Sequence, residues 1–143
     1  MDVLRRNTDY ALRAMVYLSV CYDDRLVSVK ELTQQGRFSY QLGCKILQKL
    51  RHAGLVESSM GTKGGFRLSR QPAKITLYEI IKALQGGIRL NKCLLGGEGC
   101  EFKPECEISV KLECLQRYID GYFGGITLEE LLKSREASAG KKK

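Results

Sequence analysis

Ser39-Tyr40-Gln41-Leu42-Gly43-Cys44-Lys45-Ile46-Leu47-Gln48-Lys49-Leu50-Arg51-His52-Ala53-Gly54 decides the fold. Serine can cap a helix that glycine stops fifteen residues on. At 100° per residue, Leu42, Ile46, Leu47 and Leu50 share one face. Gln41, Cys44, Lys45, Gln48 and His52 share the other, turned to solvent or a partner. Just upstream, Ser28-Val29-Lys30-Glu31 has the form of a capping box and opens a short helix. Gly36 is expected to close it in the left-handed conformation. A short helix, a glycine-containing turn and a second helix with a basic outer face make a helix-turn-helix pattern.

Downstream, Leu55–Met60 and Phe66-Arg67-Leu68 read as two short strands. Gly61-Thr62-Lys63-Gly64-Gly65 forms the hairpin tip, with residues able to take positive φ. This is a wing, and the fold class is mainly α with a small β-wing: a winged helix-turn-helix domain plus a long dimerisation helix. The DNA contacts expected from the pattern are Ser28, Ser39, Tyr40, Gln41, Cys44, Lys45, Lys49, Lys63 and Arg67. The alternative is a winged helix used only to bind protein.

Charge agrees with a polyanion partner. The 143 residues carry a formal +8, and Arg25–Pro72 holds nine Lys/Arg against Glu31 and Glu57, or +7 of it. A solvated basic face is the bland reading of charge alone. Catalysis has little support: the chain has one histidine, no phosphate loop and no Ser/His/Asp set.

Toward the N-terminus, Tyr10, Ala11, Ala14, Met15, Leu18 and Cys21 form the apolar stripe of a helix over Thr8–Tyr22, ended by a turn at Asp23-Asp24-Arg25. Toward the C-terminus, Thr76-Leu77-Tyr78-Glu79 is another capping box, opening a helix to about Gln85 before Gly86-Gly87. Ile108, Leu112, Leu115, Ile119 and Tyr122 are spaced 4, 3, 4 and 3, a short seam by which two helices pack. That predicts a homodimer, because helix-turn-helix proteins read paired half-sites; packing on the helix's own domain is the alternative. Thr127-Leu128-Glu129-Glu130 opens a last helix ending near Lys133. The expected organisation is 1–86 DNA-binding domain, 87–106 cysteine loop, 107–133 dimerisation and C-terminal helices, and 134–143 flexible tail. No apolar run reaches the roughly 18–20 residues needed to cross a bilayer. The start lacks a signal-peptide core, so a cytoplasmic protein is expected.

Disulfides are disfavoured there, so the six cysteines need another account. Cys93, Cys100 and Cys106 bracket a stretch holding Gly96, Gly97, Gly99 and Pro104, acidic through Glu98, Glu101, Glu105 and Glu107. Three clustered thiolates suit an iron–sulfur cluster that draws a fourth ligand from elsewhere. Zinc, which wants four Cys/His ligands, and thiol-based redox sensing are the rivals. Cys114 is a spare thiolate or a packing residue, and Cys21 reads as core.

Taken together, these residues resemble the Rrf-two family of bacterial regulators, over nearly the whole chain to about Lys133. The carriers are Thr8-Asp9-Tyr10-Ala11-Leu12-Arg13-Ala14, the helix at Ser28, Lys45-Ile46-Leu47-Gln48-Lys49-Leu50, Gly54-Leu55-Val56, Gly61-x-x-Gly64-Gly65, the three-cysteine loop and Thr127-Leu128-x-x-Leu131. The resemblance implies a homodimer with crossing long helices and an iron–sulfur cluster, [4Fe-4S] or [2Fe-2S], on Cys93, Cys100 and Cys106. IscR-like members place a histidine three residues after the third cysteine, where this chain has Ser109. NsrR-like members draw an aspartate from the partner's first helix, and Asp9 matches it; its other reading is a helix cap. Where the family often has an arginine before the wing glycine, this chain has Met60, leaving Lys63 or Arg67 to serve. The expected function is a dimeric repressor whose cluster reports on nitric oxide, redox state or iron–sulfur supply. A regulator of cluster biogenesis and a thiol- or zinc-based redox or interaction module are the alternatives.

Overall fold

Helix α1, Arg6–Val20, begins two residues before the expected Thr8. No side chain caps it at Arg5; the Gln85 amide oxygen accepts from the Arg5 N–H at 3.0 Å and the Thr8 hydroxyl at 2.8 Å instead. This computed structural model describes residues 2–94, 100–102 and 105–141. Ala11, Ala14, Met15, Leu18 and Cys21 of the apolar stripe are buried, and Tyr10 is partly buried on Phe38, ring centres 5.2 Å apart.

Helix α2, Val29–Gly36, is capped by Ser28, whose hydroxyl accepts from the Glu31 N–H. The box is only half made. Glu31 turns its carboxylate to the Tyr17 hydroxyl, 2.6 Å away, and to the Arg25 guanidinium, because α1 and the turn after it bring both within reach. Gly36 is still helical, and Arg37 (φ 55) is the left-handed residue, contrary to the expectation. Glycine is needed at 36 for space: a Cβ there would sit 2.1 Å from the Phe38 ring.

Helix α3, Tyr40–His52, buries Ile46, Leu47 and Leu50 of the expected face, with Leu42 partly buried against the same core and Gly43 buried beside it. A Cβ at Gly43 would meet Thr33 at 2.4 Å, so the glycine sets how closely α3 lies on α2. Strands β1 (Val56–Ser59) and β2 (Gly65–Leu68) pair antiparallel, Val56 opposite Leu68 and Ser59 opposite Gly65. Val27 adds a bridge to Phe66 and anchors the hairpin to the helices.

Helix α4, Leu77–Gln85, carries the complete capping box of Thr76 and Glu79 and stops at left-handed Gly86. Met15, Leu18, Leu32, Ile46, Leu47, Leu50, Leu55, Leu68, Ile75, Ile80 and Leu128 form one core beneath these elements. Each such side chain is worth about 1.5–3 kcal/mol of burial.

Helix α5, Glu107–Gly125, joins through a second cluster, in which Ile119 and Phe123 pack on Leu77, Ile81 and Ile88. The expected seam is therefore split. Ile119 faces its own domain, while Ile108 (69% exposed), Leu115 and Tyr122 face outward beside Val110 and Tyr118. Helix α6, Leu128–Gly140, starts beside α4 through a Thr76–Thr127 bridge and runs along α1. It passes the expected end at Lys133, so described residues of the supposed flexible tail are helical. Alanine, glutamate and arginine favour helix there, and the Ser134 and Ser138 hydroxyls bond carbonyls four residues back. Among the described residues no helix is long and apolar enough to cross a membrane.

Candidate nucleic-acid interface and cysteine segment

The interface starts from two helix caps. The hydroxyls of Ser28 and Ser39 each accept an amide of their own helix, so both exposed serines sit at helix N-termini, where free N–H groups favour anions. Beyond Ser39, Tyr40, Gln41, Cys44 and Lys45 all lie on the exposed face of α3. The opposite face is fixed in the core, which holds this surface at one orientation.

At the wing tip Gly61 has φ 108, and Met60 is 95% exposed. Lys63 projects from the same tip and is exposed. Arg67 is opposite Glu57 in the strand register and bonds its carboxylate, so its charge is partly satisfied within the wing. Lys49, exposed and beside the core-facing side of α3, donates to the Leu84 carbonyl at 3.2 Å, in the last turn of α4. It therefore serves α3–α4 packing here, at an end of α4 that favours cations.

The basic block divides accordingly. Arg25, Arg67 and Arg70 are paired with Glu31, Glu57 and Glu79. Among the described residues, Lys30, Arg37, Lys45, Arg51 and Lys63 have no acid within salt-bridge distance. These are the cations free to neutralise phosphates. Arg37 was not in the expected contact set. The sequence signal was Gly36, which drew the left-handed position one residue too early.

Glu31 also stiffens the support of this surface. Its bonds from Arg25 and then Tyr17 hold its carboxyl at about 2, below the usual 4.5. The same carboxylate raises the Tyr17 hydroxyl.

The cysteines are all free thiols. Cys93 lies partly buried in a 3-10 turn over Lys92–Leu94, Cys100 is exposed, and Cys106 occupies the cap position of α5 without capping it. Residues 95–99 and 103–104, with the predicted Gly96, Gly97, Glu98, Gly99 and Pro104, lie outside the described residues. Among the described residues no three Cys, His, Asp or Glu side chains converge as a metal site. Asp9 is not a cap: it lies in the first turn of α1 and pairs with Arg13 at 3.0 Å. Cys114 is exposed on α5, its sulfur accepting from Arg117, and Cys21 is core.

A family model for Rrf2, the iron-dependent transcriptional regulators, matches residues 4–134. The chain belongs to the Rrf2 family. As an Rrf2 member it is a transcription regulator and not an enzyme, and its winged helix-turn-helix is the DNA-binding fold. It is 32% identical over 114 residues to the NsrR regulator of Shouchella clausii, covering 78% of this chain and 76% of that one. Among solved structures, IscR of T. potens superposes with a TM-score of 0.73 at 28% identity, covering 94% of this chain and 89% of that one. CymR, the global cysteine regulator of B. subtilis, superposes with a TM-score of 0.75 at 26% identity, covering 94% and 98%. The Rrf2 fold thus spans wing, α5 and α6 together.

Proposed function

We propose that two copies of this chain form an operator-binding repressor. Each copy reads DNA through Ser28, Ser39, Tyr40, Gln41, Cys44 and Lys45, with Lys63 and Arg67 at the wing and Lys49 once released from Leu84. In this reading Cys93, Cys100 and Cys106 hold an iron–sulfur cluster, and Asp9 of the partner subunit completes its ligands.

The observation that carries the reading is three free cysteines bracketing one glycine-rich segment, in a chain matched by an iron-dependent regulator family. The donor set fits the group: thiolates are the usual ligands of such clusters. Cys106 adds to the fit by position: it sits at the N-cap of α5 without a capping hydrogen bond, so its sulfur is not committed to the helix. When bound, the cluster supplies a centre that reacts with nitric oxide and oxidants. Asp9 must leave Arg13 to serve as a ligand, which costs about 0–1 kcal/mol for an exposed pair. Because Asp9 belongs to α1, ligation ties the cysteine segment to the helix supporting α2 and α3.

A thiol- or zinc-based module is the second reading, favoured by the exposure of Cys100 and the likeness to a cysteine regulator. Anaerobically purified full-length chain is the test. Visible absorption that bleaches with nitric oxide, is lost in Cys100→Ala and changes in Asp9→Ala, alongside a change in operator affinity, is the expected result. A colourless protein holding zinc, or one whose operator affinity follows thiol oxidation alone, overturns the cluster.

A further inference from the structure

Residues 86–93 are the covalent thread from α4 to the cysteine segment, and two glutamine amides grip it. Gln85 uses both ends of its amide. Its oxygen accepts from Arg5 N–H and the Thr8 hydroxyl, and its nitrogen donates to the carbonyls of Val3 (3.1 Å) and Gly87 (3.2 Å). Gln116 of α5 is 7% exposed. Its nitrogen donates to the Ile88 carbonyl at 2.7 Å and to Asp120 at 2.9 Å, and its oxygen accepts from the Leu90 N–H at 3.2 Å. Consecutive carbonyls, Gly87 and Ile88, are thus held by side chains of two different helices, α4 and α5.

The grip leads on toward the DNA face. Gln85 holds the first turn of α1, and Tyr10 in the next turn packs on Phe38 while accepting from Arg6. The Phe38 ring lies against Gly43, where a Cβ would be 3.4 Å away, inside α3. A buried amide loses several bonds at once if its partners move, so a shift of 88–90 breaks the network or carries it along.

We infer that Gln85 and Gln116 are positioning residues that couple the cysteine segment to the first turn of α1, and through Tyr10 and Phe38 to the seat of α3. The inference rests on the reading of the cysteine segment as the sensing part. The coupling itself needs no cluster.

Amide hydrogen exchange on the full chain, thiols reduced and no cluster loaded, tests it as a double-mutant cycle. Gln116→Leu is expected to speed exchange at Leu90 and also, about threefold to fivefold, at Arg5, Thr8 and Asp9. Gln85→Glu keeps the acceptor for Arg5 and Thr8 but can donate to neither Gly87 nor Val3, so the loss of the Val3 bond is part of the background against which Gln116→Leu is read. In that background Gln116→Leu is expected to add nothing at Arg5, Thr8 or Asp9. Acceleration confined to 88–90 and α5, or equal in both backgrounds, overturns the inference. Should the leucine variant not fold, Gln116→Glu, which retains an acceptor for Leu90 and loses the donor to Ile88, carries the same cycle. A negative result leaves the cluster reading intact, since its test is spectroscopic.

Discussion

Helices α1 and α5 are similar in length and opposite in design. The fifteen residues of α1 bury Thr8, Ala11, Ala14, Met15, Leu18 and Ser19, a continuous face. The nineteen of α5 bury only Ser109 and Gln116, both polar, while Ile108, Val110, Leu115, Tyr118 and Tyr122 remain exposed. A soluble helix normally does the reverse. The first region is thus finished as a single chain. The second has an apolar face that its own domain does not cover, and a second copy is the proposed cover.

If the first region stands alone, its core must set thermal stability by itself. Leu47, 1% exposed between α3 and the rest of the core, is the sharpest probe. Leu47→Ala is expected to cost about 2–5 kcal/mol in denaturant unfolding. A smaller loss would mean that the core relaxes and that the contrast with α5 is weaker than the packing implies.

The converse substitution belongs on α5. Leu115→Glu combined with Tyr122→Glu should leave the helical signal intact and convert a dimer to a monomer in sedimentation. Operator affinity should fall about 10²-fold or more as paired half-site binding is lost. A monomeric wild type, or a variant that stays dimeric, breaks the comparison.

Within the finished region, Gln41 tests whether the exposed face of α3 reads bases. Gln41→Ala should cost roughly 1–3 kcal/mol against the preferred operator and less against altered ones. An equal loss on every sequence would make Gln41 a backbone contact.

The smallest effect concerns acid. Glu31 has a carboxyl lowered to about 2 in the folded chain by Arg25 and Tyr17. A depressed carboxylate stabilises above its unfolded value, near 4.5, and loses that contribution as pH falls through about 2. Melting temperature should therefore decline between about pH 4.5 and 2, and Glu31→Gln should flatten that decline. The slope is shallow, since the pair is partly exposed. An unaltered slope in the variant would remove Glu31 from the support of the DNA face.

The sequence by itself determined the elements whose logic is local. The α3 wheel placed Leu42, Ile46, Leu47 and Leu50 on one side and Gln41, Cys44 and Lys45 on the other, because helical geometry alone fixes who shares a face. Thr76 with Glu79 announced a complete cap for the same reason: both partners lie within one turn. Only the tertiary structure decided where long or polar side chains spend their bonds. Glu31 left its cap for Arg25 and Tyr17, Lys49 turned to Leu84, and Arg67 turned to Glu57. Arg37 took the left-handed position at the end of α2, while Gly36 stayed helical and left room for the Phe38 ring. Gln85 and Gln116 each have one near partner, Gly87 and Asp120, but the bonds that tie them to other elements reach 82 and 28 residues along the chain and leave no local signal. A side chain several bonds long can reach many partners, and the choice among them is made by whichever element folds over it.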